Sequence, residues 1–274
     1  MKFPVWQTTL EVFDYLWRER RALVRFGLPP VATLFLLSVL LQLVLGGKEA
    51  NVQIAQGIVG LVQVVIFLPV TVTWYRMAVI GEAEARTRPL FNFGREEARL
   101  LKWQIAILAI VLVIAGVCSA VTILLNNYSQ EDNSGIVMFV NILWSIAWLF
   151  SLLVLMTRLS MVLVLAALDQ PVSLKAAWQM TKGISLRLLN ATALIAVAGL
   201  LVGGFFKLLG SIVSEITPVT TASVLDEILK ALDALGQTVG GLITLLGVAT
   251  LFGFVYLKLT GHTAAETPAA PIEP

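Results

Sequence analysis

Charged and chemically reactive side chains are scarce in this chain of 274 residues. Asp, Glu, Lys and Arg together make up 13% of it, whereas an ordinary soluble domain carries about 25%. The single cysteine and the single histidine can form neither an intrachain disulfide nor a Cys/His zinc site. The formal net charge of +2 is too small to indicate a nucleic-acid partner. We therefore expect no metal, no cofactor and no binding of nucleic acid.

Long apolar runs take the place of the missing charge. Hydrophobic residues make up 58% of the chain, and the mean hydropathy is +0.89. A hydrocarbon core of about 30 Å requires about 20 helical residues at about 1.5 Å each. The pattern predicts an all-α, polytopic integral membrane protein in which residues 1–260 form one domain with a disordered tail at 261–274. Its six transmembrane helices are expected at approximately 26–47, 53–75, 103–125, 136–158, 188–208 and 236–257.

Arg158 stands inside an apolar run that extends from residue 136 to 168. It lies 22 residues after Ile136. Arg76 and Lys258 lie at the same separation from Ile54 and Gly236, near the start of the second and sixth spans. This separation corresponds to about 33 Å, one bilayer crossing. We therefore interpret the three cations as the points at which these spans leave the membrane.

Lysine and arginine are distributed unequally between the two sides of the predicted spans. Of the 19 in the chain, 16 lie on the side that carries the N-terminus and three lie on the other. Basic residues accumulate on the cytoplasmic side of membrane proteins. The sequence therefore predicts that both termini are cytoplasmic.

The six spans are expected to form three hairpins, each preceded by an amphipathic cytoplasmic helix. These leading segments are FDYLWRERRALVRFG, LFNFGREEARLLKW and AAWQMTKGISLRLL, and each has an aromatic residue eight or nine positions before the cation that opens its span. Aromatic rings and cations beside an apolar stripe are typical of a helix in the membrane interface. Apolar residues also recur at helical spacing in residues 220–237, with charged residues on the opposite face, and this pattern predicts a short separate helix on the outer surface.

The sequence contains no recognisable catalytic arrangement. It has no metal-ligand cluster and no glycine-rich phosphate loop, and its only histidine is His262 near the end of the chain. The usual general base is therefore missing from any site in the spans. We expect no catalytic residue and no enzymatic activity.

Two amides in the second span are candidates for a transport pathway. Gln63 lies near the midplane, and Gln56 shares its helix face. On this interpretation the protein is a transporter or channel for a neutral or amphipathic solute. The alternative is that these amides hold neighbouring helices together through hydrogen bonds.

Two GxxxG motifs are candidates for close helix packing. Gly199 and Gly203 lie in the fifth span, and Gly236 and Gly240 open the sixth. Small residues at this spacing allow two helix backbones to approach closely. The contact is expected either within the bundle or between protomers of a homo-oligomer.

Basic and aromatic residues gather on the predicted cytoplasmic face. We name a subset of them the collar, and its members are Arg76, Arg158, Trp178, Lys182 and Arg187. Such residues can bind anionic lipid headgroups or a partner protein. The alternative is that they only hold the spans in register with the bilayer.

The stretch TRLSMVLVLAALDQPVSLKAAWQMTKGISLRLL, residues 157–189, resembles the membrane domain attached to some glycerophosphodiester phosphodiesterases and its stand-alone bacterial relatives of unknown function. The matching features are Arg158 at the end of a span, the Asp-Gln-Pro break at 169–171, and Trp178 with Lys182 in the following segment. The phosphodiesterase barrel with its acidic metal site is missing from this chain, so that activity does not carry over. The resemblance implies a six-span bundle in the bacterial inner membrane with a connection to lipids.

The leading functional hypothesis from the sequence combines the collar with this resemblance. It describes a non-enzymatic inner-membrane protein that organises anionic lipid, or a membrane or envelope partner protein, at its cytoplasmic face. A transporter or channel that uses Gln56 and Gln63 is the alternative.

Overall fold

The computed structural model describes residues 4–45, 49–81, 93–132, 135–216 and 222–261. Within these ranges the backbone is helical almost throughout and forms no strand. The helices are α1 (Val5–Arg18), α2 (Arg20–Leu45), α3 (Glu49–Val79), α4 (Arg95–Asp132), α5 (Gly135–Ala167), α6 (Leu174–Met180), α7 (Ser185–Ile216) and α8 (Ala222–Thr260).

Six of these helices, α2, α3, α4, α5, α7 and α8, are long and apolar enough to cross a membrane. The shortest, α2, has 26 residues, and the longest, α8, has 39. The prediction of an all-α protein with six membrane-spanning helices is confirmed. Helices α4, α5 and α8 extend well beyond the predicted spans, because helical hydrogen bonding does not stop where apolar residues give way to charged ones.

Consecutive long helices pack together as three hairpins, α2–α3, α4–α5 and α7–α8. In each hairpin the second helix is the more buried one. The most buried helix is α8, in which 56% of the apolar membrane-spanning stretch is buried inside the protein, and the least buried is α4, with 6%. The returning helices α3, α5 and α8 therefore form the interior of the bundle, and the outgoing helices cover it.

The tightly packed core lies at the end of the bundle where α3, α5 and α8 terminate, which we call the collar end. Buried side chains are concentrated in residues 67–79, 157–168 and 242–256 of these helices. Within this core the indole Nε1 of Trp74 donates a hydrogen bond to Thr250 Oγ1 at 2.8 Å. Toward the opposite end, many large apolar side chains are exposed on α2, α4, α5 and α7. A surface of this kind requires a lipid environment.

Helix α1 is a separate amphipathic helix, but its bounds differ from those of the first leading segment, residues 13–27. Only residues 13–18 of that segment lie in α1, and residues 20–27 form the start of α2. Helix α1 packs against α7 and α8, with Val12 and Leu16 buried, while Trp6 and Trp17 are 65% and 71% exposed. An apolar face that contacts the bundle and exposed indole rings on the outside suit a helix in the membrane interface.

The other two leading segments differ from each other. The third, residues 176–189, is divided between the separate short helix α6 and the start of α7. The described part of the second, from Phe93, continues directly into α4 at Arg95. Its hydrogen bonds lead without interruption into the span, because neither glycine nor proline follows until Gly116.

The prediction of a separate surface helix at 220–237 is wrong. The helical period is correct, but the segment is the first part of α8, which continues unbroken from Ala222 to Thr260. The first two of the five glycines in α8, Gly236 and Gly240, remain helical because they pack against α7. The predicted tail lies, from residue 262 onward, outside the described residues.

Helix α5 continues past Arg158 and ends at Ala167. Asp169 then adopts a left-handed backbone with φ 58°, and the Gln170 N–H donates to the Leu165 carbonyl at 3.0 Å. This is the hydrogen bond that closes a Schellman helix end. Arg99 of α4 forms an ion pair with the Asp169 carboxylate, so the helix end is also tied to the neighbouring helix.

Candidate functional site

A cavity of about 1150 Å³ lies among α3, α4, α5, α7 and α8. Its walls consist mainly of leucine, isoleucine, valine, phenylalanine and glycine residues. Helices α4 and α5 line it only through residues 101–108 and 156–163, near the collar end. Helix α8 lines it from Asp233 to Val248, which corresponds to about 22 Å. The cavity therefore extends through much of a membrane core of about 30 Å.

Five polar side chains line the deeper part of the cavity. The hydroxyls of Thr71, Ser160 and Thr244 each donate to a carbonyl four residues earlier, at 2.7 to 3.0 Å. The other two are the amides of Gln63 and Gln104. The Gln104 Oε1 is buried and accepts no hydrogen bond within the described part of the chain. Through the residues that the structure describes, the deep cavity thus offers amide groups to a ligand but no charge.

The structure places one of the two candidate transport residues in this cavity. Gln63 lines it and faces Gly241, where an added Cβ would lie 3.6 Å from the amide nitrogen. The backbone of Gln56 belongs to α3, but its side chain lies outside the described residues.

The charges of the cavity are confined to the end opposite the collar. Lys207 of α7 and Asp233 of α8 line it there together with Gln237, whose Nε2 donates to Asp233 Oδ2 at 3.0 Å. We call these three residues the charged rim. Lys207 is 22 residues from the start of α7 at Ser185, about 33 Å, so the rim lies about one bilayer thickness from the collar end of this helix.

The two GxxxG motifs face each other between α7 and α8. A Cβ added to Gly199 would lie 2.6 Å from the carbonyl oxygen of Gly240 and would collide with Thr244. A Cβ added to Gly203 would lie 3.5 Å from the carbonyl oxygen of Gly236. The four glycines therefore lie at a contact within one chain, which forms one wall of the cavity.

Arg76 of the collar is engaged inside the protein. Its Nη1 lies 3.1 Å from Glu96 Oε1 at the start of α4, and their side chains are only 14% and 22% exposed. The same nitrogen donates to the Ala167 carbonyl at the end of α5. Arg76 thus joins the first hairpin to the second.

Arg158 joins the second hairpin to the third in a similar way. Its Nε and Nη2 donate to Ser185 Oγ at 3.1 and 3.0 Å. Its guanidinium lies 4.2 Å from the centre of the Trp178 ring, within the range of a cation–π interaction. The arginine that interrupts the apolar run is therefore held by the α6–α7 segment.

Lys258 completes a cyclic arrangement. Its ammonium lies 2.8 Å from Glu11 on α1, so the third hairpin contacts the leading helix of the first. Each of the cations Arg76, Arg158 and Lys258 on the returning helices thus contacts the segment that leads into the next hairpin. Lys182 and Arg187 remain exposed beside Trp178, which is 43% exposed.

Three cavity residues were missed by the sequence reasoning, namely Gln104, Lys207 and Asp233. Gln104 lies one residue after Trp103 at the predicted start of a span. Lys207 falls at the end of the predicted fifth span, and Asp233 falls in the predicted surface helix at 220–237. A signal was present in α8, where Asp233, Gln237, Gly241 and Thr244 recur at intervals of four, four and three residues. Residues at this spacing share one helix face, and here they are polar or small.

No family model, curated protein or solved structure matches this chain. Among the described residues, no group of three or more His, Cys, Asp or Glu side chains is placed to hold a metal ion. The function is therefore argued from the geometry of the cavity and the collar.

Proposed function

We propose that this chain is a non-enzymatic protein of the bacterial inner membrane that takes an amphipathic, lipid-like molecule into the cavity among its spans. The cavity of about 1150 Å³ carries this proposal. Small-molecule sites have volumes of about 300–1,000 Å³ and combine apolar walls with a few polar groups. The volume, just above this range, favours a large molecule with long apolar parts.

The distribution of polar groups favours an amphipathic solute over an ion or a sugar. Among the described residues that line the cavity, only Lys207 and Asp233 are charged, and both lie at the rim. A pathway for ions or protons is usually marked by ionisable groups inside the membrane. The apolar walls between Gln63 and the rim instead suit hydrocarbon.

The proposed orientation follows the positive-inside rule, with the collar end and both termini in the cytoplasm. The charged rim then lies at the outer interface. A lipid-like ligand would also agree with the proposed resemblance of residues 157–189 to the membrane domain attached to some glycerophosphodiester phosphodiesterases.

The test is to fill the cavity without disturbing the backbone. Gly204 lines the cavity, and a Cβ added there has no neighbour within 4 Å. Gly204→Leu should therefore fold and should reduce the amphipathic molecule retained per protein by about tenfold, the effect of about 1.4 kcal/mol of lost affinity. Native mass spectrometry of protein extracted in mild detergent measures the retained molecule.

Gly116→Leu is the matched control. Gly116 lies in α4, has no neighbour within 4 Å of an added Cβ, and does not line the cavity. Its variant should retain as much ligand as the wild-type chain. Equal retention by all three proteins would refute uptake into this cavity.

A second candidate function rests on the exposed part of the collar. Lys182 and Arg187 are exposed next to Trp178, an arrangement that can bind anionic headgroups or an acidic partner. The double variant Lys182→Gln, Arg187→Gln should then lose binding to vesicles rich in phosphatidylglycerol, most clearly at low salt. Lys175→Gln, also exposed at this end, is the control, and unchanged vesicle binding by the double variant would eliminate this function.

A further inference from the structure

Two opposite charges stand at the rim of the cavity without forming a pair. Lys207 and Asp233 both line the cavity, but no ion pair joins them among the contacts of the described residues. A charged group at the edge of a membrane is costly unless it is hydrated or neutralised by a partner. The rim thus presents a separate cation and anion to whatever occupies the cavity.

The carboxylate of Asp233 is held in place. Gln237, one turn later on α8, donates its amide to Oδ2 at 3.0 Å, and this hydrogen bond leaves Oδ1 to accept from a ligand. The Lys207 ammonium lies on the other helix, α7, and is exposed. Each helix therefore contributes one charge to the rim.

The position of the rim matches the headgroup level of a membrane lipid. Lys258, at the collar end, follows Asp233 by 25 residues, about 38 Å of helix, so the two lie at opposite interfaces. From the rim the cavity extends about 22 Å toward the collar end, past apolar residues such as Leu200, Leu245 and Val248. A molecule with its polar head at the rim would therefore place its chains along the apolar walls.

We propose that the ligand of the cavity is a phospholipid with a zwitterionic headgroup, whose phosphate contacts Lys207 and whose ammonium contacts Asp233. This assignment rests on the proposed function and adds the identity of the headgroup to it. One headgroup of this type neutralises both rim charges at once. An anionic headgroup would leave the Asp233 carboxylate facing negative charge, and an uncharged headgroup would leave both residues without a counter-charge.

The test compares three lipids with identical acyl chains on the full-length protein in detergent: phosphatidylethanolamine, phosphatidylglycerol and diacylglycerol. Native mass spectrometry titrations give the dissociation constant for each. We expect phosphatidylethanolamine to bind about fivefold more tightly than either of the others, the effect of about one partly exposed charged hydrogen bond.

Charge variants distinguish recognition of the headgroup from an effect on folding. Lys207→Gln should weaken the binding of phosphatidylethanolamine about fivefold. Asp233→Asn should shift the preference toward phosphatidylglycerol, because it removes the repulsion between the Asp233 carboxylate and the anionic headgroup. The exchange variant Lys207→Asp, Asp233→Lys should recover the preference that Lys207→Asp alone loses. Lys175→Gln and Asp14→Asn, exposed positions away from the cavity, should change nothing.

The outcomes separate the two proposals. Equal binding of the three lipids, or a preference for phosphatidylglycerol in the wild-type chain, overturns the zwitterionic assignment while the cavity remains a lipid site. Binding of every lipid that is unaffected by both the rim variants and Gly204→Leu overturns the proposed function as well.

Discussion

At the scale of single residues, Arg158 shows how a charge can stand in an apolar run and still be satisfied. Its distance along the helix puts it at the end of a span, and its side chain then finds Ser185 and the Trp178 ring. Three interactions with the next hairpin make it a structural residue. Lys182, only four positions from Trp178, has no comparable contact within the described chain.

Replacement of Arg158 should therefore affect stability where replacement of Lys182 does not. Arg158→Gln removes two charged hydrogen bonds and a cation–π contact, and we expect a loss of about 1–3 kcal/mol in the free energy of unfolding. The free energy of unfolding of Arg158→Lys should lie between those of Arg158→Gln and the wild type, because the lysine ammonium keeps the charge but lacks the planar guanidinium with its paired N–H donors. Thermal unfolding in detergent measures this, with Lys182→Gln as control, and identical midpoints would contradict the structural role.

The position of Arg158 could be predicted from the sequence, but its partners could not. Counting 22 residues requires only helix geometry and the bilayer thickness. Ser185 and Trp178 come close only because α5, α6 and α7 pack together. The same holds for Arg76, which the sequence offered as a lipid-binding residue and which the structure pairs with Glu96.

At the scale of helices, the α7–α8 hairpin depends on the approach of two backbones. Gly199 and Gly240 lie so close that neither leaves room for a methyl group, whereas the Gly203 pair is looser. The motif spacing predicts a close contact but not its partner. The partner is decided by the hairpin, because α7 and α8 are consecutive and antiparallel.

The two glycines of α7 should consequently respond differently to the same change. Gly199→Ala places a methyl group 2.6 Å from the Gly240 carbonyl oxygen, and we expect it to destabilise the protein by about 1–3 kcal/mol through overpacking. Gly203→Ala meets its nearest atom at 3.5 Å and should be close to neutral. Unfolding of the two variants at increasing concentrations of a denaturing detergent measures the difference in their stability. Equal stability would argue against the close contact.

At the scale of the whole molecule, packing is uneven along the membrane normal. The returning helices are tightly packed at the collar end, where Arg76, Arg158 and Lys258 tie each hairpin to the next in a cycle. Toward the other end α4 and α5 no longer line the space between the helices, and the cavity extends there to the charged rim. A bundle that is fixed at one interface and open along its length is suited to admit a molecule from the bilayer.

The sequence by itself determined the six helices that are long and apolar enough to span a membrane, their pairing into hairpins and the spacing of the cations on the returning helices. These properties depend on hydropathy and on the rise per residue, which are local. Only the tertiary structure decided that Gln63, Gln104, Lys207 and Asp233 share one cavity, and that two of the collar cations are bound internally. These residues are distant in the chain, and their meeting depends on how the hairpins pack against one another, which no local pattern records.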